Sequence, residues 1–199
     1  MCFGNKNKKM KIKKTGPKVL VFAASTSSKS INLSLIKHTI SYLKYDFELI
    51  DLNQYQCPIY SEDAERKNGI PKNAKRFDQK LTEADAIMVS FATHNFSFAS
   101  AFKNTFDWSS RLHPKDINDW FKNKPVLLMG TSPSPFGGQF VIDVAKTAWG
   151  YFGASVVGTY NLKSYYSNFK DGKPIEEFDQ ELKEQVALLN QAISQLKTN

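Results

Sequence analysis

Apolar residues along the chain gather into five short runs, each leading into a polar loop, with apolar positions three and four apart in between. The runs are 19–22, 47–52, 85–92, 124–130 and 154–160. The first and third are almost unbroken by polar residues, which suits strands buried on both faces of a parallel sheet, whereas 47–52 alternates. Helical spacing connects Leu35, Ile36, Ile40 and Leu43, then a stretch over 72–83, then Phe98, Phe102 and Phe106 in a helix over about 99–112. It recurs in Phe140, Val141, Val144, Ala145, Ala148, Trp149 and Phe152, and in Phe178, Leu182, Val186, Leu189, Ile193 and Leu196. Segment 53–71 is polar, contains prolines and reads as a loop of the kind that folds over a site. Asp171 and Gly172 mark a turn before the last helix. Strands alternating with helices predict one parallel sheet covered on both faces.

At 199 residues, with 41% hydrophobic and 13% aromatic side chains, the chain is long enough for one well-cored domain and short for two. The pattern predicts an α/β three-layer sandwich of flavodoxin-like type, with a five-stranded sheet in the order 2-1-3-4-5. In that order the loops after strands one, three and four converge at the switch point. The net charge of +8 would suggest a nucleic-acid partner if it were spread over the domain. It is not, because Lys6, Lys8, Lys9, Lys11, Lys13, Lys14 and Lys18 all precede the end of the first strand and leave the body close to neutral. The sequence therefore predicts a basic, disordered tail over 1–17 and a single domain over 18–199, with no nucleic-acid partner. A tether to phosphate-rich surfaces is the competing reading of the tail, and Met10 is an alternative start. No run is long enough to span a bilayer, and 19–24 is too short for the core of a secretory signal. Cys2 and Cys57 form neither a disulfide framework nor a zinc site. A cytoplasmic, reducing setting is expected.

Three loops carry the candidate chemistry. The first, 25–30, holds four serines, Thr26 and Lys29 between a strand and a helix start, where free N–H groups and the positive end of the helix dipole point outward. That is an anion site, and without Gly-x-Gly-x-x-Gly or Gly-Lys-Ser/Thr it suits a terminal monophosphate better than a pyrophosphate. A serine-rich helix cap without a ligand is the plainer reading. The second loop, Thr93, His94, Asn95, Phe96 and Ser97, is polar and aromatic. The third, 131–138, ends in Gly137 and Gly138, which either let the backbone approach a flat ligand or simply make a tight turn. The phenylalanines at 98, 102 and 106 read as core or subunit packing.

On these residues the chain resembles the NAD(P)H-dependent FMN reductase family of flavodoxin-like quinone, azo-compound and flavin reductases, from about Val19 to the last helix. The family's first loop commonly reads Gly-Ser-x-Arg-x-x-Ser-x-Asn. Ala24-Ser25-Thr26-Ser27-Ser28-Lys29-Ser30-Ile31-Asn32 matches both serines and the asparagine. The resemblance implies that Ser25, Ser30, the backbone of Ile31 and Asn32 hold the FMN phosphate, with Ser27 in place of the family's arginine and Lys29 as the nearby charge. The second family motif is Pro-Glu-Tyr-Asn-x-Ser-x-Pro-x-x-Leu-Lys-Asn-x-x-Asp-Trp. Along residues 92–108 it is matched by Asn95, Ser97, Lys103, Asn104, Asp107 and Trp108, with Thr93 and His94 replacing Glu and Tyr. It implies that Thr93, His94, Asn95 and Phe96 lie along the flavin ring, largely through backbone groups, while Lys103, Asn104 and Asp107 fix the helix. Ser132, Pro133, Ser134, Gly137 and Gly138 correspond to the loop bordering the ring, stiffened by Pro133 and Pro135. Residues 168–175 are similar to the family's usual ending.

The resemblance implies an FMN-dependent oxidoreductase that takes a hydride from NAD(P)H and passes electrons to a small-molecule quinone, azo-compound or flavin acceptor in two half-reactions. No catalytic side chain is required, since the cofactor carries the chemistry. His94 is a candidate proton donor, while His38 and His113 read as helical or loop-exposed. A homodimer or dimer of dimers is expected, with the aromatic-rich helix after Phe98 offering apolar surface. Two alternatives stay open: a non-catalytic flavin- or nucleotide-binding relative, and a flavodoxin-type electron carrier.

Overall fold

In a computed structural model, residues 16–196 are described, so the expected tail up to Thr15 lies outside the described residues. The elements run β1 (Lys18–Ala24), α1 (Ile31–Thr39), β2 (Asp46–Ile50), α2 (Glu62–Asn68), α3 (Lys72–Glu83), β3 (Ala86–His94), β4 (Ser97–Phe98) and α4 (Ser100–Ser110). They continue with β5 (Pro125–Thr131), α5 (Gln139–Tyr151), β6 (Ser155–Leu162), α6 (Tyr165–Asn168), β7 (Phe169–Lys170), β8 (Lys173–Pro174) and α7 (Glu176–Gln195). The sheet order is β2-β1-β3-β5-β6, with all four of these pairings parallel. Counting the five long strands alone, this is the expected 2-1-3-4-5. The additional strand, β4, pairs antiparallel with the end of β3 through Thr93–Phe98 and His94–Ser97.

The two faces of the sheet bury different side chains. On one, β1, β3 and β5 pack Phe22, Phe91 and Leu128 against Phe77 of α3, Phe102 and Phe106 of α4 and Trp149 of α5. On the other, Val21, Met88 and Met129 meet Leu35 and Ile36 of α1 and Leu182, Val186 and Leu189 of α7. Alternation along buried strands sends neighbouring residues to opposite faces, so each face receives its own helical layer. Phe102 and Phe106 are buried within this core, with rings 5.4 Å apart. The phenylalanine stripe therefore packs within the chain and offers no subunit surface, which corrects half of the expectation placed on it.

The segment read as a site-covering loop, 53–71, contains the helix α2 and lies along α4. Asn104 accepts from the Tyr60 N–H at 2.8 Å and donates to the carbonyls of Cys57 and Pro58 at 3.0 Å. Trp108 Nε1 donates to the Pro58 carbonyl at 2.7 Å, and Thr105 Oγ1 to that of Tyr55. Lys103 and Asp107 pair across one turn of α4 at 2.8 Å. The Lys-Asn-x-x-Asp-Trp stretch thus fastens the preceding segment to its helix. The helix α2 escapes periodicity because none of its seven residues is buried. Its end signals were nonetheless present: Ser61 Oγ accepts from the Ala64 N–H, Glu62 and Asp63 follow, and Gly69 closes it at φ +70°.

His38 is helical, as expected, and His113 lies in a loop but is half-buried; each meets a carboxylate. His113 Nε2 lies 2.7 Å from Asp78 Oδ1, which also accepts from Trp120 Nε1. His38 Nε2 lies 2.6 Å from Asp179 Oδ1, joining α1 to α7, and Tyr42 and Lys183 complete a buried network around that carboxylate. Burial alone would raise the Asp179 carboxyl, but hydrogen bonds from Lys183, His38 and Tyr42 outweigh it and bring the group down to about 2. Since the folded value lies below the ordinary one, the stabilisation is fully present above about pH 4 and is lost as pH falls toward 2. The stability gap between wild type and Asp179→Asn, measured by urea unfolding, should therefore shrink by about 2 kcal/mol between pH 5 and pH 2. A gap that stays constant over that range would show the network contributes nothing through charge.

Candidate functional site

The loops after β1, β3 and β5 meet at the carboxyl end of the sheet and enclose a cleft of about 230 Å³. Ser25, Ser27, Lys29, Ser30, Ile31 and Asn32 come from the first loop, Thr93 and His94 from the second, Ser132 and Pro133 from the third. The larger cavity, about 570 Å³, sits at the amino ends of β3 and β5 among Asp85, Asp116, Asp119 and Trp120, far from these residues in the topology.

Each first-loop residue has a distinct job. Ser30 caps α1, its Oγ accepting from the Leu33 N–H at 3.2 Å and its carbonyl from Ser34. This leaves the N–H groups of Ile31 and Asn32 as the open donors of the helix. Ser25 and Ser27 turn their hydroxyls onto the N–H groups of Ser27 and Lys29, shaping the loop. Lys29 is exposed and is the cation of the cleft lining. Asn32 behaves differently from what its motif position suggests. It is 2% exposed, and its Oδ1 accepts from Ser90 Oγ at 2.7 Å and the Thr131 N–H at 3.1 Å, while Nδ2 donates to the Thr131 carbonyl. The side chain thus clips α1 to β3 and β5, and what it turns outward is its backbone N–H.

In the second loop, Asn95 (φ +51°) and Phe96 (φ +62°) make a two-residue turn between β3 and β4. Both lie outside the cleft lining. A left-handed phenylalanine costs about 1–2 kcal/mol relative to glycine. Its ring is exposed and meets Phe140 and Phe136 at 4.9 and 6.4 Å. His94, exposed, stays at the rim.

The third loop is bonded to itself. Ser132 Oγ donates to the Gly137 carbonyl at 2.7 Å and contacts Ser134 Oγ at 2.9 Å. The Gly137 N–H goes to the Ser134 carbonyl and the Gly138 N–H to Asn161 Oδ1. Ser134, Gly137 and Gly138 do not reach the cleft. A Cβ on Gly138 would lie 2.7 Å from Gly130 Cα, so this glycine serves a close approach of α5 to β5, while Gly137, at φ +60°, makes the turn against Asn161 and Leu162 of β6. Tyr166, from α6, lines the cleft and was missed by the sequence reading, having no motif around it.

A family model for NADPH-dependent FMN reductase matches residues 17–167, three quarters of the chain and all three loops. The chain belongs to the NADPH-dependent FMN reductase family. An NAD(P)H-dependent FMN reductase of Pseudomonas aeruginosa is 31% identical over 122 residues, 60% of this chain and 62% of that protein. A 2-hydroxy-1,4-benzoquinone reductase of a Burkholderia species is 29% identical over 120 residues, 60% and 63% of the two chains. The chain thus spans a little under two thirds of either curated relative. Among solved structures, the flavoenzyme NAD(P)H:(acceptor) oxidoreductase FerB of Paracoccus denitrificans superposes over 90% of this chain and 98% of its own, with a TM-score of 0.69 at 23% identity. That likeness establishes the flavodoxin-like fold. The family expected from the sequence motifs is thus the one the chain belongs to.

The residues present fit the family's cofactor. Hydroxyls, open helix N–H groups and one lysine are the donor set of a phosphate site. Thr93 lines this cleft, and its Oγ1, closed off from solvent, has no hydrogen-bond partner among the described residues. A buried hydroxyl left this way costs about 1–3 kcal/mol unless a ligand or water answers it. The other such atom, Trp149 Nε1, lies among the rings of Phe91, Phe106 and Phe121 in the core.

Proposed function

We propose that this chain is an FMN-dependent NAD(P)H oxidoreductase, working in a cytoplasmic setting, that reduces a small quinone, azo compound or flavin in two half-reactions at one site. Bound FMN supplies a centre that accepts a hydride from one molecule and returns electrons to another. The chain's part is to bind and orient. The N–H groups of Ile31 and Asn32, the Ser30 hydroxyl hydrogen and Lys29 would hold the phosphate. Thr93 would donate its hydroxyl to the cofactor, Ser132 and Pro133 would border it, and His94 at the rim would hold a proton for the acceptor. The observation that carries this reading is the meeting of the three family loops at one cleft, with the unanswered hydroxyl of Thr93 buried beside it.

The test is a titration with FMN followed by flavin fluorescence. Thr93→Val should weaken binding about ten-fold while leaving the free protein no less stable, because the hydroxyl has no partner there to lose. Lys29→Ala should weaken it by a salt-dependent factor of about five. Absence of saturable binding to the wild type at micromolar protein would remove the reading in favour of a non-catalytic relative. With FMN bound, rapid NADPH oxidation in the presence of a quinone separates an enzyme from an electron carrier.

A homodimer belongs to the same proposal, on a different surface from the one first expected. At about 230 Å³ the cleft is smaller than usual ligand pockets. Beside it, Phe96, Phe136, Phe140, Val144 and Tyr151 are exposed along the second and third loops and α5, a patch suited to a second copy. The solution mass checks this, since a monomer under FMN saturation would remove it.

A further inference from the structure

Across the first loop from the flavin cleft lies a second one, of about 390 Å³, that the proposed function leaves without a role. Ser25, Ser27 and Ser30 line both, so the loop is a wall shared by two sites. The floor of the second cleft is apolar, formed by Leu33 of α1, Leu49 at the end of β2 and the buried Leu52. Its rim carries Lys37 on one side and Asp51 on the other. The wall is braced. Asn53 Nδ2 donates to the Thr26 carbonyl at 3.2 Å and to Asp51 Oδ1 at 3.0 Å, and the Asn53 N–H reaches the same carboxylate oxygen at 2.9 Å. Both bonds to Asp51 go to Oδ1, so among the described residues the other oxygen of this exposed carboxylate stays open to a guest.

We propose that this cleft takes the adenosine half of the pyridine dinucleotide whose nicotinamide end works in the flavin cleft. The proposal rests on the reductase reading for the donor's identity, and on the second cleft for its position. A volume of about 390 Å³ lies within the range of small-ligand sites. A flat apolar floor accepts a nucleobase face. Asp51, just past the second strand, can accept from the ribose 3′-hydroxyl, the one that a 2′-phosphate leaves free, because an ionised carboxylate only accepts hydrogen bonds and a hydroxyl donates them. Lys37 supplies the charge for a phosphate on that sugar or in the linking pyrophosphate. A purely apolar guest would desolvate Asp51 and Lys37 without answering either. A dinucleotide lying over the serine wall answers both and accounts for two clefts sharing one loop.

Two measurements test it. Calorimetric titration with adenosine 2′,5′-bisphosphate, which needs no flavin, should show saturable binding that Leu49→Trp and Lys37→Ala each weaken about ten-fold or more, with FMN affinity unchanged. Leu49 is 38% exposed on an edge strand and can be enlarged without entering the core. In turnover, the same variants should raise KM for NADPH about ten-fold and leave the rate with an N-benzyl dihydronicotinamide, a donor lacking adenosine, as it was. Absence of binding of the bisphosphate to wild type, or equal binding to both variants, overturns the proposal. So does a KM for NADPH that moves no more than that of the truncated donor. Bisphosphate binding by a protein that does not take up FMN would leave this cleft assigned and remove the flavin reading instead.

Discussion

Asn32→Ala should lower the unfolding free energy by about 3 kcal/mol, a fall in Tm of about 6–12 °C for a chain of this size. The reason is what the amide leaves behind. Its Oδ1 answers two donors, Ser90 Oγ and the Thr131 N–H, and Nδ2 answers the Thr131 carbonyl, all within a buried seam between α1, β3 and β5. Alanine strands each of them where water does not reach, and an unpaired buried polar group costs about 1–3 kcal/mol. Loss of FMN affinity in this variant would follow from a displaced α1 N-terminus and says little about a direct contact. Thr93→Val and Lys29→Ala are therefore the cleaner probes of the cleft. A stability loss below about 1 kcal/mol would show that the seam relaxes or hydrates, and that Asn32 is free to face a ligand.

Gly138→Ala should cost about 3 kcal/mol as well, through the opposite fault of adding an atom where there is no room. The new Cβ would sit 2.7 Å from Gly130 Cα, 2.8 Å from its carbonyl carbon and 3.1 Å from the Thr131 nitrogen, all of them backbone of a central strand. No side chain can swing away, so α5 has to move off β5. Because the Gly138 N–H bonds to Asn161 Oδ1 on β6, that movement also loosens the third loop. Chemical denaturation of the variant measures the cost, and a near-neutral result would mean that α5 shifts freely and the loop is not fixed by this contact. Gly150, which has open space around it, is the control position for the same change.

The fold was legible because it rests on burial, and burial leaves a periodic mark. The unbroken run before Ser25 gave a strand with Val19, Val21 and Phe22 at 0% exposure, and the helix over 72–83 has the bounds expected of it. What stayed hidden depends on features with no period. The helix α2 buries nothing, and the β4 hairpin turns on Asn95 and Phe96, where a glycine would have been the usual signal. Within the candidate site, residue types were readable but directions were not. Ser30 caps α1 at the cleft and Lys29 lines it. Asn32 faces inward, and Gly138 serves the packing of its own helix on β5, because motif spacing records position along the chain and not which way a side chain turns.

The unequal division of aromatic rings between the two faces of the sheet has a consequence for how this protein is observed. The chain has three tryptophans. Trp120 and Trp149 lie in the cluster formed with α3, α4 and α5, and Trp108 sits on α4 itself. The layer of α1 and α7 holds tyrosines and aliphatic residues but no indole. Intrinsic emission therefore reports one half of the sandwich. Fraying of α1, the helix that begins at the serine loop, would pass unseen at tryptophan wavelengths while far-ultraviolet dichroism registered it, and disagreement between the two signals would itself locate the event on the silent side of the sheet.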